Sequence, residues 1–330
     1  MVKKIRINKI FGLACVLALA FAATSCKDKP TNTSTLGIAK VMCDASFQNI
    51  LDQEIEVFEY TYPDANILPR YVGEYDAVDS LLQKKVDVVI TTKDLTDAQK
   101  DVLKKQGRAY RSSKIAVDAV AIIVNNKNDI DELSLDDLKD MFTGKSQKWG
   151  DVFPTKLKND SIKIVFDRSG SSINHYMKDK FLGGKPFGKN VFAVNSAEEL
   201  FKVVENQKNA IGFVGVSWIA DDMSKPNKSI DARVNDLKNN NEASAIDFTK
   251  RIKVLSIRSN DEPQGYKPYQ YYINEGSYPL FRVIYAIDAA PGGTLDHGFY
   301  SFLTGVIGQK IILQTGIVPA AEPVRNVELK

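Results

Sequence analysis

Two rhythms of apolar and polar positions run along this chain of 330 residues. Short apolar, β-branched runs at Val86 to Ile90, Ile115 to Val124, Ile162 to Phe166, Ala210 to Val216, Ile252 to Ile257 and Leu280 to Ile287 have the length of buried strands. Between them apolar residues recur at helical spacing. Phe47, Ile50, Leu51, Ile55 and Phe58 form one such stripe, and Leu133, Leu138, Met141 and Phe142 another, with Ser134 as its N-cap and Asp137 three residues on. Further helices are predicted over Glu198 to Val204, Leu295 to Leu303 and Ile307 to Gln314, the last stopped by Gly316. Strands alternating with helices predict an α/β architecture of mostly parallel sheets flanked by helices, with ligand sites at the carboxyl ends of strands. An apolar fraction of 44% supplies a core, and the length suits two domains or lobes.

The amino terminus follows neither rhythm. Lys3, Lys4, Arg6 and Lys9 precede an apolar run from Ile10 to Ala23, which fits the core of a secretory signal and is short of the ~20 residues of a membrane helix. Residues 1–25 are therefore read as a signal peptide, and export is expected. Their removal takes four positive charges from a net +3 and leaves −1, so no electrostatic case for nucleic acid survives. The run ends in Ala23-Thr24-Ser25-Cys26, which resembles the lipobox of bacterial lipoproteins. That resemblance implies acylation of Cys26 and attachment to the cell envelope, facing the periplasm or the cell surface. An ordinary signal peptide with an incidental cysteine is the alternative. Residues 26–37, polar and carrying Pro30, read as a flexible tether. With Cys15 in the signal and Cys26 acylated, Cys43 has no partner for a disulfide.

Chemistry concentrates where strands empty into hydroxyls. The run Lys163 to Phe166 leads through Asp167-Arg168-Ser169-Gly170-Ser171-Ser172 into a helix, gathering backbone N–H groups, three hydroxyls and a guanidinium at a positive helix end. Two readings fit this turn: an anion cradle, or a plain serine cap beside a solvated arginine. Ser46 and Phe47 begin a second helix after the first strand, with the same two readings. Thr91 and Thr92, followed by Lys93, end a third candidate strand. His175 and His297 are the only histidines, and no Cys/His/Glu spacing suits a metal, so neither metal nor cofactor is expected. An enzyme would need Ser169 or Ser171 paired with His175 and an oxyanion hole. Trp149 and Trp218 read as packing anchors, and Asp221 to Thr249 as a surface excursion.

Taken in order, Ser46-Phe47, Asp87 to Leu95, Leu133 to Trp149, the Asp-Arg-Ser-Gly-Ser-Ser turn, Ala210 to Gly215, Tyr278 to Tyr285 and Gly308 to Pro319 resemble the phosphate-binding branch of the periplasmic binding proteins over nearly the whole mature chain. The resemblance implies a type II periplasmic binding protein fold of two hinged lobes. Lobe one would comprise 38–114 plus 280–330 and lobe two 115–279, hinged near Ile115 to Val120 and Leu280 to Ile284. It implies capture of phosphate or a similar small oxyanion between the lobes and delivery to an ABC-type permease, without catalysis, by a lipid-anchored monomer. The implied ligand-binding set is Ser46, Phe47, Thr91, Thr92, Asp167, Arg168, Ser169, Gly170, Ser171 and Ser172. Four positions depart from the family pattern: Val165 stands where an arginine is usual, Arg168 replaces a glycine, Thr92 replaces the proton-accepting aspartate, and Gly73-Glu74-Tyr75 replaces a serine-bearing glycine turn. Two alternatives are an anion sensor and a surface lipoprotein that has kept the fold without phosphate binding, in a structural or adhesive role.

Overall fold

The structure is a computed structural model that describes residues 31–220, 229–239 and 248–321. The signal segment, Cys26 and the first part of the tether lie outside the described residues, as do the ends of the Asp221 to Thr249 excursion and residues 322–330. The strands are β1 (Gly37–Asp44), β2 (Ala65–Val72), β3 (Val88–Thr91), β4 (Arg111–Val124), β5 (Glu132–Ser134), β6 (Lys163–Phe166), β7 (Val191–Ala193), β8 (Ala210–Gly215), β9 (Lys253–Val254), β10 (Ser256–Arg258), β11 (Phe281–Asp288) and β12 (Val318–Pro319). The helices are α1 (Gln48–Thr61), α2 (Glu74–Leu82), α3 (Asp97–Lys105), α4 (Leu135–Thr143), α5 (Ser172–Leu182), α6 (Ala197–Asn206), α7 (Ile230–Asn239), α8 (Gln270–Asn274), α9 (Leu295–Thr304) and α10 (Val306–Gln314).

One main sheet runs β2-β1-β3-β11-β4-β8-β6-β7. Each end of the sheet is parallel, as expected, and its middle is antiparallel. β2, β1 and β3 are parallel, as are β8, β6 and β7, but β11 and β4 join the two groups through antiparallel ladders. β4 is shared. Its first part, Arg111 to Ala119, pairs with β11, and Val120 to Val124 pair with β8.

The predicted crossing segments meet here, because Val120 N–H donates to Leu280 O at 2.8 Å and Tyr278 hydroxyl to Val120 O at 2.7 Å. A continuous core runs beneath both parts of the sheet, with Val120, Ile122, Ile164, Phe166 and Phe213 fully buried. Trp149 is an anchor as expected, its indole N–H donating to Asn209 O. Helix α4 begins with the expected capping box, Ser134 Oγ accepting from Asp137 N–H at 3.1 Å and Asp137 accepting from Ser134 N–H at 2.8 Å.

Two segments depart from the expectations. Thr33 pairs with Leu36, and Asn32 accepts a hydrogen bond from Leu295 N–H, so the tether docks on the body before Gly37. Within the surface excursion lies α7, whose Val234 and Leu237 pack on Val57 of α1 and Ile311 of α10. A lysine- and asparagine-rich stretch hid this helix, since only two of its residues are needed to bury one face.

Candidate functional site

Both sheet halves empty their strand ends into one buried polar cluster. β11 contributes Arg282, 5% exposed, and β4 contributes Asp118, fully buried beside it. The guanidinium donates through Nε (3.1 Å) and Nη2 (2.8 Å) to Asp118 Oδ2, through Nη1 to Ser172 Oγ at 2.5 Å, and through Nη2 to Ser46 Oγ at 3.1 Å. Its plane rests on the Phe47 ring, 4.5 Å from the centroid, a contact that arginine's planar, weakly hydrated cation favours. Burial pushes the Asp118 carboxyl above the usual range, and Arg282 pulls it back down.

At the focus of the donors lies Asp44, the last residue of β1. Its carboxylate accepts from Ser46 N–H at 3.0 Å, from Ser46 hydroxyl, from Ser172 N–H at 3.2 Å and from Ser172 hydroxyl at 2.8 Å. Two helix starts, one at Ala45 and one at Ser172, thus direct free N–H groups at a single oxyanion. That is the arrangement by which helix amino termini hold anions. The oxyanion is the chain's own, and it bridges the two halves of the sheet.

The expected ligand-binding residues divide at this point. Ser46, Phe47 and Ser172 belong to the cluster. Ser171 caps α5 and donates to Asp167, whose carboxyl is buried and raised to about 6 by desolvation. Gly170 turns the chain with φ +75°, and its carbonyl lies so near Gly73 that a Cβ there would stand 3.2 Å from it. Ser169 is exposed on this turn. Arg168 faces away from the focus, donating to Tyr71 O and Asn195 O at 3.3 and 3.4 Å. Thr91 hydroxyl donates to Lys93 O, and Thr92 donates through N–H (2.9 Å) and hydroxyl to Glu74 Oε1. His175 packs against Tyr75 with the rings tilted by 53°, and no hydrogen bond joins its ring to Ser169 or Ser171 among the described residues. Trp218 pins the site as well as packing, its indole N–H donating to Ser46 O at 3.0 Å.

Sequence reasoning passed over Arg282, Asp118 and the inward role of Asp44. The signal was present. Arg282 and Asp118 are lone charges inside the apolar runs Leu280 to Ile287 and Ile115 to Val124, and a charge in a buried strand needs a partner.

A family model described as the PBP superfamily domain matches residues 28–305. This chain belongs to that superfamily. Within it the chain is a PstS-like member. It is 24% identical over 265 residues to the phosphate-binding protein PstS of Staphylococcus saprophyticus, covering 79% of this chain and 73% of that one. The PstS of Staphylococcus aureus strain USA300 matches at 24% over 195 residues, 59% of either chain. Two solved structures share the fold: a putative phosphate ABC transporter substrate-binding protein with bound phosphate from Clostridium perfringens, with a TM-score of 0.65, 17% identity, and 86% and 100% coverage of this chain and that one, and an ABC-type phosphate transport receptor from Vibrio cholerae, with a TM-score of 0.59, 18% identity, and again 86% and 100%. Among the described residues of this binding protein no helix is long and apolar enough to cross a membrane.

Proposed function

We propose that this binding protein is a lipid-anchored extracytoplasmic receptor that captures phosphate or a similar small oxyanion between its two lobes and hands it to an ABC-type permease. The observation that carries the reading is the convergence of Ser46 and Ser172 on the Asp44 carboxylate, with Arg282 donating to both of their hydroxyls. A donor set that already holds an oxyanion in a buried place, with N–H groups of two helix starts, has the chemistry to hold another. Asp44 then acts as a competitor that incoming anion displaces. Binding requires no covalent step, only closure that excludes water and strengthens the charged hydrogen bonds. The tether ahead of Asn32, which docks on the body, supplies the reach from the anchor, with Cys26 as the acylated residue.

A second reading has its own support. Asp44, Asp118 and Asp167 are all buried near the Arg282 guanidinium, and Asp44 and Asp118 take up the hydrogen bonds of Ser46, Ser172 and Arg282. On that reading the fold has kept its shape and lost phosphate binding. Calorimetric titration of the mature chain with phosphate and sulfate at pH 5 and pH 8 separates the two. The receptor reading expects saturable phosphate binding, tightened about tenfold or more in Asp44→Gly and lost in Arg282→Met. If the wild type and Asp44→Gly are both silent toward both anions, the second reading stands.

A further inference from the structure

Beside the oxyanion focus opens a cleft of about 630 Å³, lined from one side by Glu74, Thr92 and Lys93 and from the other by His175 and Tyr176. Ser172 and Arg282 belong to its lining too, so the cleft and the oxyanion focus are continuous. A space of this size suits an organic molecule, far larger than a bare phosphate group. Phe281, Val283 and Tyr285 give it apolar wall.

Its charges are unevenly matched. Lys93 is paired across the cleft with Asp179 at 3.2 Å, and Asp94 with Lys100 at 3.5 Å. Arg282 is paired with Asp118. Glu74 is different. It is 3% exposed, its Oε1 accepts from Thr92, and its Oε2 is buried with no hydrogen-bond partner among the described residues. Lys93 lies close enough to feel the charge of Glu74, but its ammonium hydrogen-bonds Asp179. A buried carboxylate oxygen without a donor is costly, and a cationic donor relieves that cost best.

We infer that the ligand is a small organic oxyanion that also carries an amine, with its phosphoryl oxygens on Ser172 and Arg282 and its ammonium on Glu74 Oε2. This rests on the oxyanion reading above and adds the organic body and its charge.

Four probes test it by calorimetry on the mature chain: O-phosphoethanolamine, ethyl phosphate, inorganic phosphate and ethanolamine. O-phosphoethanolamine is expected to bind at least about tenfold more tightly than ethyl phosphate, and ethanolamine far more weakly than either. Glu74→Gln, which keeps the side chain's volume, is expected to abolish that tenfold preference while leaving ethyl phosphate affinity unchanged. The wild-type comparison stands alone if the variant fails to fold. Equal or tighter binding of ethyl phosphate or inorganic phosphate overturns the amine inference and leaves the oxyanion reading intact. A preference that survives Glu74→Gln overturns the assignment to Glu74. Silence toward all three phosphates in both the wild type and Asp44→Gly overturns both.

Discussion

Replacing Arg282 by methionine removes the charge and keeps the length of the side chain. What it leaves behind sets the magnitude. Asp118 is fully buried and loses both guanidinium donors at 2.8 and 3.1 Å. Ser46 and Ser172 lose one partner each but keep Asp44, so they add little. Stranding one member of a buried ion pair costs about 3–5 kcal/mol. Neutralising the stranded group should recover much of this, so Arg282→Met/Asp118→Asn is expected to be at least about 1–2 kcal/mol more stable than Arg282→Met alone, a coupling in the range of residues in direct contact. The cost must also depend on pH. Burial already raises Asp118 and Arg282 opposes the rise, so the variant's carboxyl titrates higher still. A raised folded value means stability is lost as pH climbs from the unfolded toward the folded pKa. The variant's deficit is therefore expected to be larger at pH 7.5 than at pH 5. Urea unfolding of the three proteins at both pH values, read as midpoint at constant slope, measures all of this. A deficit under about 1 kcal/mol, a double variant no better than the single, or a larger deficit at pH 5 would show that the pair is not the buried, mutually dependent unit described here.

Asp167 is raised to about 6 by burial, so wild-type stability should fall as pH rises from about 4 to 6 and level off above; Asp167→Asn is expected to flatten that segment of a stability–pH curve, and an unchanged slope would assign it elsewhere. Glu54 of α1 is fully enclosed by Phe47, Ile50, Leu51, Ile115 and Ile284 with neither carboxyl oxygen hydrogen-bonded among the described residues, and burial holds its carboxyl well above the usual range. Glu54→Leu should therefore stabilise the protein by about 1–3 kcal/mol at pH 8, and a loss of stability at that pH would mean the carboxyl has a favourable partner. At Gly308, in the first turn of α10, a Cβ would stand 2.4 Å from Phe302 O and 2.9 Å from Leu303 Cα. Helix propensity alone would favour Gly308→Ala by about 0.5–1 kcal/mol, but overpacking of about 1–3 kcal/mol should win and lower the melting temperature; a rise would show that α9 gives way.

The strands and most helices were legible because each is decided by residues within one turn or one pleat of another. Ser134 and Asp137 cap each other across three residues, and Val86 to Ile90 needs no distant partner to be recognised as apolar. That the segments near Val120 and Leu280 meet was legible because two apolar runs had to cross between parts of one sheet. The site was legible only in part. Ser46 and Ser172 declare themselves as hydroxyls at helix starts, but that Asp44 turns inward depends on Ser172, 128 positions later. The turn at Arg168 to Gly170 had every local mark of an anion cradle. Its arginine is drawn instead to the carbonyls of Tyr71 and Asn195, which no local pattern reveals. Arg282 and Asp118 were each readable as an anomaly, and only their pairing across 164 positions turns two anomalies into one ion pair.

The shared strand β4 also bears on the order in which the chain can fold. β11 lies between β3 and β4 in the sheet, yet Phe281 follows Thr91 by 190 positions. The strands β6, β7 and β8 are complete by Gly215 and need only the far end of β4, whereas β1 to β3 wait for β11 and for α9, which packs beneath them. Non-local pairing of this kind closes a long loop before it is rewarded and slows assembly. A nascent chain ending before Phe281 would present β3 and the first part of β4 as unpaired edges, which are the surfaces most exposed to aggregation. The same late arrival delivers Arg282. Until the sheet closes, Asp118 therefore lacks the guanidinium that offsets its burial.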